Sequence, residues 1–161
     1  MTKPPIRIEV DDREVRQALE NLQRRVSDLT PVMHDIGQAL VEGMRARLRD
    51  GRDVEGRPFA PNSPVTLARK KGTRPLVDSG MMASQFAYRA GRDFVEAGSN
   101  AAQAATLHFG AKRGAHGKTR RGAPIPWGDI PARPFVGLSN EDKEAVLEAI
   151  AEALERAMRG R

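Results

Sequence analysis

The side chains that could do chemistry in this chain are few and scattered. Its histidines are His34, His108 and His116. A protein metal site needs three or four N, O or S ligands converging on one ion. His108 and His116 are separated by a glycine-bearing stretch, and neither a cysteine nor a histidine-rich run supplies a third ligand. The acidic pairs, Asp11-Asp12 and Glu141-Asp142, both fall where helices should begin. Carboxylates favour the positive end of a helix dipole, so neither pair requires an acid–base role. Ser79 sits in Asp78-Ser79-Gly80, which lacks the Gly-x-Ser-x-Gly frame of a nucleophile elbow. Gly110, Gly114, Gly117 and Gly122 follow a helix and lead into none, unlike a phosphate-cradling loop. The expectation is a chain that is not an enzyme, with no metal, no cofactor and no catalytic residue.

The 161 residues, with 39% hydrophobic and 30% charged, suit a single domain over 1–161 with its own core. No apolar run approaches the ~18 residues of a membrane span, and the N-terminus has no signal-like apolar region, so no membrane partner is expected. Cysteine is absent, which excludes disulfides and suits assembly in a cytoplasm. A net charge of +6 raises the question of nucleic acid. Many arginines, however, share helices with acids, as in Arg13, Glu14, Arg16 and Glu20. Uncompensated charge concentrates in two loops: Arg69, Lys70, Lys71 and Arg74, then Lys112, Arg113, Lys118, Arg120 and Arg121.

The elements that must position those loops follow from periodicity. Ile6, Ile8 and Val10 alternate as in a half-buried strand, and Val15, Ala18, Leu19, Leu22 and Val26 form one stripe of a helix begun at Asp11 or Asp12. Thr30-Pro31 reads as a cap and first-turn proline. The helix that follows carries Met33, Ile36, Leu40, Met44 and Leu48 and ends near Asp50-Gly51. Residues 51–63 are irregular, anchored by Phe59. Ser63-Pro64 starts a short helix that Gly72 stops. After the Asp78-Ser79-Gly80 turn, alternation from Met82 to Ala90 predicts a strand. Gly91-Arg92 suggests a two-residue hairpin into Phe94–Ala97. Ser99 or Asn100 caps an alanine-rich helix ending at Phe109-Gly110.

Residues 111–129 are basic, glycine-rich and without apolar period, the segment expected to behave as a mobile arm. Ile130–Leu138 follows, with Pro131 and Pro134 fixing an extended path that runs into the last helix. Ser139-Asn140-Glu141-Asp142 opens that helix as a capping box, with Asp in place of the usual Glu. Its apolar positions are Val146, Leu147, Ile150, Leu154, Ala157 and Met158. The expected class is α+β: a small antiparallel or mixed sheet flanked by amphipathic helices, with a long N-terminal helix pair and a C-terminal helix. Phe86 and Tyr88 share a strand face as core residues. Trp127, beside the basic arm, is either a partner-facing anchor or a cover for the core.

The series Gly56…Phe59-Ala60-Pro61…Thr66…Lys70, then Leu76…Ser79-Gly80, Leu107-His108-Phe109-Gly110 and Ile130-Pro131-Ala132-Arg133-Pro134-Phe135 resembles the phage virion morphogenesis family. It departs from the family where Ala104-Ala105 replaces a common Tyr-Ala and His108 directly abuts Phe109. The resemblance implies a structural virion component of Mu-like contractile-tailed phages, located at the neck or tail and assembled in the host cytoplasm. Such a tail completion protein would form a ring, hexameric in the family, cap the tail tube or its terminator, and join the head connector. The partner-binding residues expected are Lys112, Arg113, Lys118, Arg120, Arg121, Trp127, Arg133 and Phe135. The alternative is a small basic module that contacts DNA without reading sequence.

Overall fold

The computed structural model describes residues 28–159, so the expected first strand and first helix lie outside the described residues. Helix α1 spans Thr30–Asp50, α2 Pro64–Arg69, α3 Met81–Ser84, α4 Ala104–Phe109 and α5 Asn140–Arg159, with strands β1 (Phe86–Ala90) and β2 (Val95–Ser99) between α3 and α4. The class is α+β, and the sheet among the described residues is one antiparallel pair, in register from Phe86↔Ser99 to Ala90↔Val95.

Helix α1 is the organising element, packing against β1, β2 and α5. Its buried face runs Val32, Ile36, Val41, Met44 and Leu48, with Met33 and Leu40 half-buried at its flanks. Gly51, in the left-handed conformation at φ 70°, ends it by donating its N–H to the Arg47 carbonyl. The start differs from expectation by a residue or two. Thr30 is already helical, and its N–H is taken by the Asp28 carboxylate at 3.0 Å. Proline leaves only the neighbouring N–H groups to be capped, which is why Asp28 suffices.

Ser63 caps α2 as its sequence indicated, accepting the Thr66 N–H. Lys70, in extended conformation, ends that helix before Gly72 is reached. The expected strand from Met82 begins only at Phe86. Residues 81–84 instead form one helical turn, started at Gly80 (φ 81°) and closed by Ser84 Oγ donating to the Met81 carbonyl. The β1–β2 connection is also longer than a two-residue turn: Gly91 N–H donates to the Phe94 carbonyl, making a four-residue loop. Likewise α4 begins at Ala104, because Ser99 closes β2 and its hydroxyl takes the Ala101 N–H at 3.3 Å. Val41, Met44, Leu48, Phe59, Met82, Phe86, Ala104 and Phe135 form the core.

The capping box at α5 is reciprocal. Asp142 N–H donates to Ser139 Oγ at 3.1 Å, and Ser139 N–H donates to Asp142 Oδ2 at 2.8 Å. The same carboxylate reaches α1, where it pairs with the buried Arg47. Arg47 Nε donates to the Phe135 carbonyl at 3.0 Å and Nη2 to the Gly137 carbonyl at 3.1 Å. One guanidinium thus ties α1, the extended stretch and the α5 cap together. Gly43 makes room for it, since a Cβ there would strike the Asp142 carboxylate.

Candidate functional site

The motifs singled out in the sequence converge on the base of the 111–129 segment. Arg133, 6% exposed, donates from Nε to the Ala60 carbonyl at 2.7 Å and from Nη2 to the Pro61 carbonyl at 2.8 Å. Its own N–H donates to the Leu107 carbonyl at 3.0 Å. Burial holds the Arg133 guanidinium below its ordinary pKa. Phe135, with no exposed surface, packs against Phe86 (5.9 Å between ring centroids) and edge-on to His108 (5.4 Å). The two residues expected at a partner surface are therefore internal to the chain. They fix the platform from which 111–129 projects. Pro131 and Pro134 keep this backbone extended, which brings the Ala60 and Pro61 carbonyls within reach of Arg133.

Gly110, at φ 76°, sits where the chain leaves α4. A Cβ there would meet the Ile130 carbonyl oxygen at 2.7 Å and the Ala132 nitrogen at 2.8 Å, so only glycine permits this crossing. Beyond it, 111–129 doubles back as a hairpin. Ala111 and Ile130 exchange both backbone hydrogen bonds, at 2.9 and 2.7 Å. Further out, His116 N–H donates to the Ile125 carbonyl at 2.7 Å, and Thr119 N–H to the Ala123 carbonyl at 2.8 Å. Asp129 locks the base by accepting from Lys112 Nζ at 3.0 Å and Arg113 N–H at 2.8 Å. That Arg113 N–H, with Lys112 beside it, holds the Asp129 carboxyl below its ordinary pKa. His116 Nε2 lies 3.1 Å from Thr106 Oγ1, tethering the hairpin to α4.

Of the expected partner residues, the hairpin displays Lys112, Arg113, Lys118, Arg120, Arg121 and Trp127 on its surface. Among the described residues, only Lys112 of these cations has a carboxylate within ion-pair distance. Trp127 is 67% exposed and Phe109, at the hairpin base, 77%. The tryptophan does not fold back over the core. The second basic loop is more engaged: Arg74 Nη1 donates to the Arg49 carbonyl at 2.9 Å and Lys70 Nζ to the Arg74 carbonyl. A groove of about 620 Å³ opens beside that loop, lined in part by Val65, Leu76, Met81 and Arg133.

The histidines stay apart. His34 lies edge-on to Tyr88 with Nδ1 3.3 Å from its hydroxyl, and His108 Nδ1 accepts the Val136 N–H at 3.4 Å. Desolvation by burial lowers the His108 pKa. Among the described residues no three metal-ligating side chains come together, and no helix is long and apolar enough to cross a membrane.

Sequence reasoning did not single out Arg47. Its one signal was an arginine between Met44 and Leu48 on the apolar face of α1. Asp53 was also missed. Buried in the 51–63 loop, it accepts the N–H groups of Glu55 and Arg57, each at 2.9 Å, and the Arg57 guanidinium.

What the geometry presents is a basic hairpin, hydrogen-bonded at its base, with Trp127 turned to solvent. No solved structure matches this chain. It is 30% identical over 146 residues to the Mu-like prophage FluMu G protein 2 of Haemophilus influenzae, covering 90% of this chain and 93% of that protein. The model of the phage virion morphogenesis family matches residues 10–155, and the chain belongs to that family.

Proposed function

We propose that this chain is a tail completion subunit, which self-associates into a ring that caps the phage tail and offers the head connector a docking surface. The observation that carries the reading is the display of large apolar side chains on a braced projection. Phe109, at the end of α4, and Trp127, on the hairpin, are mostly exposed, and the hairpin base beside them is held by Arg133, Gly110 and Asp129. A monomer gains nothing by fixing a tryptophan in water; an interface anchor does. Membership of a virion morphogenesis family supports a role in the particle. In this reading the protein acts by the surfaces it presents and not by catalysis.

Deletion of the gene from the phage tests it. The expected phenotype is separate filled heads and complete-looking tails in lysates, joined again when the gene is supplied in trans. Infectious virions from the deletion strain would end the proposal.

The four hairpin cations without carboxylate partners among the described residues favour a second reading, sequence-independent contact with DNA. It requires binding that weakens steeply with salt, the log–log slope falling by about one for each phosphate contact removed. Replacement of Lys118, Arg120 and Arg121 by Gln would show that fall, and salt-independent binding would exclude it.

A further inference from the structure

We propose that the hairpin of one copy docks onto helix α5 of a second copy, with Trp127 on the helix's uncovered apolar stripe and the hairpin cations along its acidic margin. This rests on the ring reading above and names the two surfaces that would build the ring.

Helix α5 leaves apolar surface uncovered. Against α1 it turns Val146, Ala149, Ala153 and Ala157, all half-buried. Leu147, 65% exposed, and Met158, 67% exposed, are not covered, and Ile150 is exposed as well. At 3.6 residues per turn the exposed Leu147 and Met158 and the half-buried Leu154 between them fall within about 40° of one another. On the side away from α1, Glu144, Glu148 and Glu155 follow at roughly 60–100° from Leu147. The helix therefore carries, side by side, a packed face, an apolar stripe and an acidic margin. Glu144, Glu148 and Glu152 have no ion-pair partner among the described residues.

The hairpin has the opposite character. Residues 111–129 hold five cations against one acid, a net +4, whereas helix α5 over 140–159 holds six acids against three bases, a net −3, with Asp142 among those acids already buried against Arg47. Trp127 stands three residues from Pro124, which is bridged to Lys118. At the strand rise that is about 10 Å. On a helix roughly 10 Å across, stripe and margin lie under about 10 Å apart, so one hairpin can engage both.

Charge also selects the symmetry. Pairing two hairpins, or two α5 helices, would set like charges face to face, which is unfavourable. Hairpin on helix is complementary, and a contact between two different patches is heterologous, the kind that generates rings. A phosphate backbone would satisfy the cations but leave Trp127 in water.

Two full-length variants test this by sedimentation velocity at low salt. The hairpin variant is Trp127→Ala/Arg120→Ala/Arg121→Ala, and the helix variant is Glu144→Lys/Glu148→Lys. Wild-type chain is expected to associate, less so as salt rises. Each variant alone should associate at least about tenfold more weakly. Mixed, they retain one intact hairpin and one intact helix face, and should form a 1:1 dimer that cannot grow. That dimer also shows that both variants are folded. Variants that assemble as wild type does would overturn the interface while leaving the ring reading in place. So would a wild-type chain that stays monomeric at about 100 µM with a silent mixture; tail completion is judged separately, by the deletion phenotype. Loss of DNA binding in the hairpin variant with unaltered self-association would likewise overturn it.

Discussion

Replacing Arg47 by Met asks how much of the fold hangs on one guanidinium. Methionine keeps the length and most of the apolar stem, so little packing is lost. What disappears is the ion pair with Asp142 and the donors to the Phe135 and Gly137 carbonyls. Both members of the pair are buried, so the Asp142 carboxyl would be left away from water with the Ser139 N–H as its remaining hydrogen-bond donor among the described residues. Removing one partner of a buried pair costs about 3–5 kcal/mol. For a chain of this size that corresponds to a fall of about 10 °C in melting temperature. Urea unfolding followed by circular dichroism, on Arg47→Met, Asp142→Asn and the double variant, measures it. The charge argument expects the double variant to lose less than the two singles summed, by about 2 kcal/mol or more. Additive losses, or a single Arg47→Met loss below about 1 kcal/mol, would refute the reasoning.

Three further outcomes are expected. Phe135→Ala empties the centre of the core and should cost about 3–5 kcal/mol in the same unfolding assay, since no surface residue can collapse into the space. Gly43→Ala should destabilise by about 1–3 kcal/mol, because the added methyl displaces the Asp142 carboxylate from Arg47; an unchanged midpoint would contradict that placement. Burial opposes the charge on Asp53, but the N–H groups of Arg57 and Glu55 and the Arg57 guanidinium outweigh it and hold the carboxyl below 3.8. A carboxyl depressed in the folded state stabilises fully above its unfolded pKa, and that stabilisation is lost as pH falls through the folded value. Asp53→Asn should therefore be less stable at neutral pH and show a flatter loss of stability below about pH 5.

Signals carried by adjacent residues were legible in the sequence. Ser63-Pro64, the Gly51 stop and the Ser139–Asp142 box each need only partners within a few residues, and each appears in the structure as read. The apolar face of α1 was readable within one position because period alone fixes it. Less legible was alternation that two structures satisfy: Met82–Ser84 reads as strand, yet a left-handed Gly80 and the Ser84 hydroxyl close it into a helical turn. Partners distant in the chain were not legible at all. Arg47 finds its acceptors 88 to 95 residues away, and Arg133 finds carbonyls 72 and 73 residues back. That is why the burial of Arg133 and Phe135, expected among the partner contacts, could not be read from their neighbours in the chain. The hairpin cations lie outside, where their composition suggested, and Trp127, which the sequence left between surface and core, lies outside with them.

The position of the protein in the particle bears most directly on its role. Gold-labelled antibody against a peptide tag appended after Arg161, applied to purified virions and to isolated tails of the tagged phage, reads that position by electron microscopy. Tail completion predicts label confined to the head-proximal end of the tail, exposed on free tails and at the neck of whole particles. Label along the tail, over the capsid, or absent from finished particles would contradict it.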